Sequence, residues 1–133
     1  MIYIDANNKV VGRLASRVAK MLLSGESVSV VNAEKAVMVG NPAVTLKAFK
    51  HKRDRGDPYH GPFYPRSPDM VFRRVVRGMV PYKTARGGEA FKRLRVFISI
   101  PQELKGKQFT ETTGTANKGE FKSITLERLA KIA

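Results

Sequence analysis

A helix between two short strands is predicted near the start of the chain. Residues 2–5 and 28–32 are rich in apolar and β-branched side chains, which favours strands. The segment 12–24 between them repeats apolar residues at helical spacing. One face of that helix has the apolar residues Leu14, Val18, Met21 and Leu22. A strand, a helix and a strand in this order predict a parallel βαβ unit.

Two more helices are predicted where a proline follows a capping residue. Asn41-Pro42 predicts a helix that continues to about Lys52, and Ser67-Pro68 predicts a second helix over the next three turns. This second helix is amphipathic, with five apolar residues on one face and three arginines on the other: Val71, Phe72, Val75, Val76 and Met79, against Arg73, Arg74 and Arg77. Its apolar face is expected to pack on the core.

The remaining elements are shorter. Segments 36–39 and 96–100 are apolar and β-branched, which predicts two further strands, and Pro101 ends the second of them. Thr125 can cap a last helix near the end of the chain. The order of elements predicts a small α/β domain, in which a few parallel strands are covered by helices.

Basic residues outnumber acidic residues, most strongly in the middle of the chain. The 133 residues include 25 Lys or Arg and 11 Asp or Glu, which gives a formal net charge of +14. Segment 47–95 alone holds 14 of the basic residues and 4 of the acidic ones. Because an excess of positive charge attracts polyanions, we expect a polyanionic partner.

The basic residues form stripes on the predicted helices. Arg13, Arg17 and Lys20 recur at i, i+4 and i+7, on a different face of their helix from the apolar residues. Neither this stripe nor the arginines after Pro68 have acidic residues at i+4 to pair with. The stripes are therefore free to contact phosphates, and arginine can do so with two hydrogen bonds at once.

Segment 53–67 is predicted to be an irregular basic loop, because it is rich in proline and glycine. Its aromatic residues, which include Tyr59, Phe63 and Tyr64, could anchor the loop on the core or meet nucleic acid, and we expect most of them to be core anchors. An irregular basic loop beside basic helices suits folded RNA better than the regular major groove of DNA.

The sequence offers little material for catalysis. It has no Cys and only two His, neither in a metal-ligand spacing, so thiolate metal sites and Cys nucleophiles are excluded and no cofactor is expected. Dinucleotide-binding and P-loop motifs are also missing. Asp54 and Asp57 are the only close acidic pair in the basic region, and they leave one alternative open, a metal-dependent RNA-processing enzyme. Balance of local charge explains this pair more simply.

A membrane partner is not expected. The longest stretch without a charged residue, 36–46, is about half the length of a membrane span and is interrupted by Gly40 and Pro42. The first residues lack the basic and apolar regions of a signal peptide, so we also expect no leader.

Four strings of residues are specific enough to compare with known families. They are Asp5-Ala6 with Gly12-Arg13-Leu14-Ala15-Ser16, then Val30-Val31-Asn32-Ala33-Glu34-Lys35, then Val76-Arg77-Gly78-Met79-Val80-Pro81, and Arg93-Leu94-Arg95-Val96-Phe97. In order and spacing these strings resemble the L13 family of large-subunit ribosomal proteins. Segments 61–64, 66–68 and 83–87 are similar to the archaeal and eukaryotic branch of that family more than to the bacterial one.

This resemblance implies a fold and a role. The implied fold is one α/β/α domain over residues 1–133, with three layers, a four-stranded and mainly parallel sheet, and a basic loop extension at 53–67. Segment 103–124 matches the family least and is expected to be irregular. The implied role is that of a structural, non-catalytic constituent of the cytoplasmic large ribosomal subunit.

The implied partners are large-subunit rRNA and neighbouring ribosomal proteins, with no DNA and no small-molecule substrate. An extraribosomal RNA-binding regulator would share every one of these features and remains an alternative. The expected RNA contacts are the basic residues of the helix stripes and loops: Arg13, Arg17, Lys20, Lys47, Lys50, Lys52, Arg53, Arg55, Arg66, Arg73, Arg74, Arg77, Lys83 and Arg86. No catalytic residue and no metal ligand is expected.

Overall fold

Strands and helices are interspersed along the chain. The structure is a computed structural model that describes residues 1–56, 58–112, 114–117, 119 and 122–132. The strands are β1 (Ile2–Asp5), β2 (Val28–Val31), β3 (Val37–Val39), β4 (Leu94–Val96) and β5 (Ser123–Thr125). The helices are α1 (Val11–Leu23), α2 (Pro42–Asp54), α3 (Pro68–Met79), α4 (Ala85–Lys92) and α5 (Leu126–Ile132). This mixture of strands and helices agrees with the predicted α/β class.

β2 is the central strand of a three-stranded parallel sheet, with β1 on one side and β4 on the other. Ile2 pairs with Val28 and Asp5 with Val31, while Val28 also pairs with Leu94. All four residues of β2 are buried, as expected for a parallel strand that is covered on both faces. The predicted βαβ unit of β1, α1 and β2 is therefore confirmed.

The expected four-stranded sheet is not found among the described residues. The third predicted strand, β3, pairs antiparallel with β5 in a separate two-stranded sheet, where Met38 lies opposite Ile124. It meets the βαβ unit through an isolated parallel bridge between Val10 and Val37. The pattern at 36–39 indicates a strand but not its partner, because pairing depends on residues that are distant in sequence. The expected three layers stay a prediction.

The fourth strand was predicted over 96–100, and these bounds are wrong. β4 spans Leu94–Val96, and the chain turns soon afterwards, where Ser99 adopts a positive φ of 60°. The buried carboxylate of Glu34 holds this turn, accepting hydrogen bonds from Ser99 N at 3.0 Å and from Ser99 Oγ at 3.4 Å. Glu34 belongs to a 3₁₀ turn after β2, so the apolar pattern at 96–100 contained no sign of it.

Predicted capping side chains begin α2 and α5, whereas Ser67 forms no side-chain capping hydrogen bond at the start of α3. Asn41 Oδ1 accepts a hydrogen bond from Ala43 N at 3.0 Å, directly before the proline that starts α2. Thr125 Oγ1 accepts from Arg128 N at 3.3 Å in the first turn of α5. These side chains satisfy amides that the helix itself leaves without a partner.

The core is shared by α1, α3 and the segment that follows residue 122. Its buried side chains from these parts include Leu14, Val18, Leu22, Phe72, Val76, Ile124, Leu126 and Leu129. Burial of one such side chain contributes about 1.5–3 kcal/mol. The apolar face of α1 is therefore fixed toward the core, and its basic residues are held on the solvent side.

The chain beyond residue 103 is tied back onto the first elements. It includes a 3₁₀ turn at Gln102–Leu104 and ends in β5 and α5. Thr110 N donates to Tyr3 O at 2.7 Å, and Val10 N donates to Thr115 O at 2.7 Å. This segment therefore runs beside β1 and the start of α1. None of the helices within the described ranges is long and apolar enough to cross a membrane.

Candidate RNA interface

The basic stripe of α1 lies exposed along one side of a groove. Arg13, Arg17 and Lys20 are all exposed, and they line a groove of 310 Å³ together with Gly114 and Thr115. Their side chains form no hydrogen bond or ion pair with any part of the chain that the structure describes. The predicted stripe is confirmed as an exposed cationic surface.

The second half of α2 presents another exposed group of cations. Lys47, Lys50 and Lys52 are exposed, and the first two line a shallow groove of 480 Å³ with His51 and Asp54. Arg55, directly after the helix, is exposed and donates through Nε to His51 Nε2 at 3.3 Å. Basic residues in the last turn of a helix are also favoured by the helix dipole.

Of the three arginines of α3, Arg73 supports the fold most directly. The sequence pattern predicted that all three lie opposite the core, but each is half-buried. Arg73 Nη1 donates to Leu94 O at 2.8 Å, and its guanidinium lies 4.7 Å from the centroid of the Phe91 ring. These two contacts tie Arg73 to β4, an outer strand of the parallel sheet, and to α4.

Arg74 and Arg77 stack on tyrosines. The guanidinium of Arg74 lies 5.4 Å from the ring centroid of Tyr64, and Arg74 Nη2 donates to Phe63 O at 3.0 Å. The guanidinium of Arg77 lies 4.7 Å from the ring centroid of Tyr82. Cation–π contacts of this kind hold a guanidinium in place without neutralising its charge.

The other predicted contact residues differ in their surroundings. Arg66, Lys83 and Arg86 are exposed, and Arg86 Nη2 also donates to Leu23 O at 3.2 Å, near the end of α1. Arg53 is half-buried, with its guanidinium 5.9 Å from the Phe49 ring centroid. Its Nε and Nη1 are buried and have no hydrogen-bond partner within the part of the chain that the structure describes.

The aromatic residues of the loop follow the prediction only in part. Tyr64 is half-buried and packs edge-on against the buried Phe49, with ring centroids 5.2 Å apart. Tyr59 is 88% exposed and Phe63 is 68% exposed, so the expectation that most of these rings anchor the loop on the core is wrong. The sequence pattern did not distinguish them, because all lie in the same proline-rich segment.

Neutralising carboxylates are scarce around these cations. Within the described residues the ion pairs are Lys9 with Glu111 at 3.5 Å and Lys131 with Glu127 at 3.2 Å. None of the fourteen predicted contact residues takes part in either pair. These cations are therefore not neutralised by any carboxylate in the ranges that the structure describes.

The enzymatic alternative rests on Asp54 and Asp57, and the structure describes only the first of them. Asp54 is exposed at the end of α2, and Asp57 lies outside the described residues. The ranges that the structure describes contain no group of three or more His, Asp or Glu placed to hold a metal ion.

Comparison with known proteins decides which family the fold and the basic surface belong to. A family model described as "Ribosomal protein L13" matches residues 1–103. The chain belongs to the ribosomal protein L13 family. This confirms the resemblance that the four sequence strings indicated.

Archaeal members of the family are close in sequence. The "Large ribosomal subunit protein uL13" of Archaeoglobus fulgidus is 50% identical over 106 residues, which cover 80% of this chain and 68% of that protein. The uL13 of Methanopyrus kandleri is 58% identical over 99 residues, or 74% of this chain and 62% of that protein. The uL13 of Picrophilus torridus is 41% identical over 132 residues, which cover 99% of this chain and 96% of that protein. The matches to the first two thus span about two thirds of those proteins, and the predicted archaeal type is supported.

Two residues that sequence reasoning did not select help to shape this surface. Arg93 Nη2 donates to Leu22 O at 2.6 Å and Arg93 Nε to Glu26 O at 3.4 Å, so this arginine joins the end of α1 to β4. Tyr82, which follows α3, is 40% exposed beside Arg77. Arg93 belongs to the fourth family string but was not predicted to contact RNA, and Tyr82 belongs to none of the four strings.

Proposed function

We propose that this protein is a structural constituent of the large ribosomal subunit that binds and stabilises folded large-subunit rRNA. The observation that carries the proposal is the set of exposed cations on α1, α2 and the loop after α2, none of which pairs with a carboxylate among the described residues. The family and its relatives, which are named as large-subunit proteins, support the same role. The corresponding location is the ribosome in the cytoplasm, and the role is structural rather than enzymatic.

The proposed contacts are made mainly through phosphates. Lys and Arg side chains that neutralise phosphates release counterions from RNA, and binding then weakens steeply as salt increases. If six to ten of the proposed cations act in this way, affinity falls by roughly 10³- to 10⁵-fold between 50 and 200 mM salt. The proposed contact set is the fourteen residues predicted from sequence, with Arg73 acting chiefly through the fold.

Folded RNA fits this surface better than DNA does. The cations lie on separate helices and on an irregular segment, 55–67, that forms no named helix or strand in its described part. Recognition of RNA depends on shape, backbone and unstacked bases, which a discontinuous basic surface can follow. Neighbouring proteins of the subunit are proposed as further partners.

Binding of purified large-subunit rRNA at several salt concentrations tests the proposal. The double variant Arg13→Gln with Arg17→Gln is expected to bind more weakly, with a slope of log affinity against log salt that is smaller by about 1–2. A matched control, Lys105→Gln with Lys107→Gln, removes the same charge from exposed residues outside the proposed contact set. An equal loss of affinity in both double variants would show that only bulk charge matters.

Cell fractionation and crosslinking separate the proposed role from the regulator alternative. On a density gradient, the protein is expected to travel with large subunits, and its crosslinked RNA is expected to be large-subunit rRNA. Crosslinks mainly to other RNAs, with the protein at the top of the gradient, would favour the extraribosomal regulator. RNA cleavage that requires Mg²⁺ and is lost in Asp57→Asn would restore the enzyme alternative.

A further inference from the structure

A groove lined by cations and tyrosines separates the end of α2 from the exposed side of α3. We name it the tyrosine groove, and its volume is 480 Å³. It is lined by Lys52, Tyr64, Arg74, Val75, Arg77, Gly78 and Tyr82. No Asp or Glu is among these residues, and the volume is in the range of sites that hold small organic groups.

We propose that the tyrosine groove holds a single unstacked nucleotide of an RNA strand. The base stacks on Tyr82, and the flanking phosphates contact Arg74, Arg77 and Lys52. This inference rests on the proposed RNA-binding function and adds to it, because it assigns one part of the surface to a base rather than to phosphates alone.

The cations of the groove are already positioned by aromatic rings. Lys52 Nζ lies 5.5 Å from the Tyr64 ring centroid, and the Arg74 guanidinium lies 5.4 Å from the same centroid. Arg77 occupies the corresponding position over Tyr82 at 4.7 Å. Among the residues that the structure describes, none of these three cations pairs with a carboxylate, so together they attract a counter-ion. A phosphate diester supplies it, and the ordered side chains lose little further entropy on binding.

The ring of Tyr64 is fixed by packing, and the backbone of Tyr82 is held close to the end of α3. Tyr64 is fixed by its edge-on contact with the buried Phe49, at an angle of 82° between the rings. Tyr82 follows α3 closely, and its amide N donates to Val80 O at 2.7 Å. It remains 40% exposed although Arg77 lies over its ring. Aromatic side chains of this kind bind unstacked bases without sequence preference.

Gly78 lines the tyrosine groove near the end of α3. Its φ is not positive and a Cβ added there would meet no atom within 4 Å, so neither the backbone nor close packing calls for glycine. Because the position borders the groove, a side chain as large as leucine is expected to occupy part of that space. Substitution of Gly78 is therefore a way to fill the groove.

Two RNA probes distinguish the contribution of base stacking from that of the contacts with phosphates. One is a ten-nucleotide single strand of adenylate, and the other is the same ribose-phosphate strand without bases. Base stacking of the expected strength makes the wild-type protein bind the adenylate strand about 5- to 150-fold more tightly than the baseless strand. Equal affinity for the two strands would overturn the proposal.

Variants of the groove then test which residues read the base. In Tyr82→Ala and in Gly78→Leu the preference for the adenylate strand is expected to fall toward 1, while Tyr82→Phe retains it. Leucine is a strong helix former, so Gly78→Leu should fold, and thermal unfolding checks this. The matched control Ala43→Leu adds the same side chain at an exposed position of α2 outside the groove and should keep the wild-type preference.

Failure of this inference and failure of the proposed function give different results. If Tyr82→Ala and Gly78→Leu keep the full preference while Arg13→Gln with Arg17→Gln still weakens rRNA binding, only the groove assignment is wrong. If wild-type protein does not bind rRNA, both are wrong. Competition with free AMP and with a ten-base-pair RNA duplex completes the experiment. Either competitor binding as tightly as the adenylate strand would overturn the assignment to an unstacked nucleotide within a strand.

Discussion

Replacement of Arg73 by alanine tests whether this arginine supports the fold. Leu94, which accepts its hydrogen bond at 2.8 Å, lies on β4, an outer strand of the parallel sheet. Val28 N donates to Arg93 O from the β2 side. Because successive carbonyls along a strand point to opposite sides, Leu94 O faces the outer edge. Arg73 thus covers a carbonyl that no neighbouring strand reaches.

The expected loss of stability can be worked out from these contacts. A hydrogen bond that involves a charged group contributes about 1.5–3 kcal/mol, and a cation–π contact such as that with Phe91 adds about 0.5–1 kcal/mol at an exposed site. Arg73 is half-buried, so solvent replaces part of this interaction in the variant. We expect Arg73→Ala to lower the free energy of unfolding by about 2–3 kcal/mol. For a chain of 133 residues this corresponds to a decrease in Tm of about 6–15 °C.

Thermal and urea unfolding followed by circular dichroism measure this effect. The matched control is Arg17→Ala, which makes the same chemical change at an exposed helix position and should alter the free energy of unfolding by less than about 0.5 kcal/mol. In rRNA binding, by contrast, we expect Arg17→Ala to lower the affinity more than Arg73→Ala does. A stability for Arg73→Ala within about 0.5 kcal/mol of wild type would refute the assignment of Arg73 to the fold.

Two further predictions concern the helices that support the interface. Asn41→Ala removes the side chain that accepts from Ala43 N, and urea unfolding should show a loss of about 1 kcal/mol, whereas Asn41→Asp should stay near wild type. Gly87→Ala would place a Cβ against the carbonyl of Pro81, so we expect its thermal unfolding to show destabilisation of about 1–3 kcal/mol. At Gly88 the nearest atom to an added Cβ is 3.4 Å away, and a Gly88→Ala variant that is equally unstable would contradict this reasoning.

The parts of the fold that sequence predicted are those with local signals. The apolar spacing of α1, the Asn41-Pro42 start of α2 and the Ser67-Pro68 start of α3 all lie within a few residues of the elements they specify. The pairing of β3 with β5 and the turn that Glu34 holds both join residues that are far apart in sequence. Neither is determined by a local pattern, because many distant segments could supply a strand or a carboxylate.

In the candidate site, too, sequence predicted the features that depend on nearby residues and missed those that depend on distant ones. Exposure of the stripe at Arg13 and Arg17 follows directly from helical periodicity, since the opposite face is apolar. Periodicity also placed Arg73 away from the core, but its guanidinium reaches back to β4. Long side chains can place their charged end far from their own Cα, so helix geometry predicts the face and not the final contact.

The return of residues 123–129 to the first elements has a consequence for folding during synthesis. β3 is made early, but its partner β5 is added about 85 residues later. Until Ile124 and Leu129 are available, the core that α1 and α3 build lacks part of its apolar lining. A newly made chain therefore exposes apolar surface until residues 123–129 have been made, when its basic surface is already present. Binding of the nascent chain to RNA at that stage would precede closure of the core, and a chaperone that shields the apolar gap would act in the same interval.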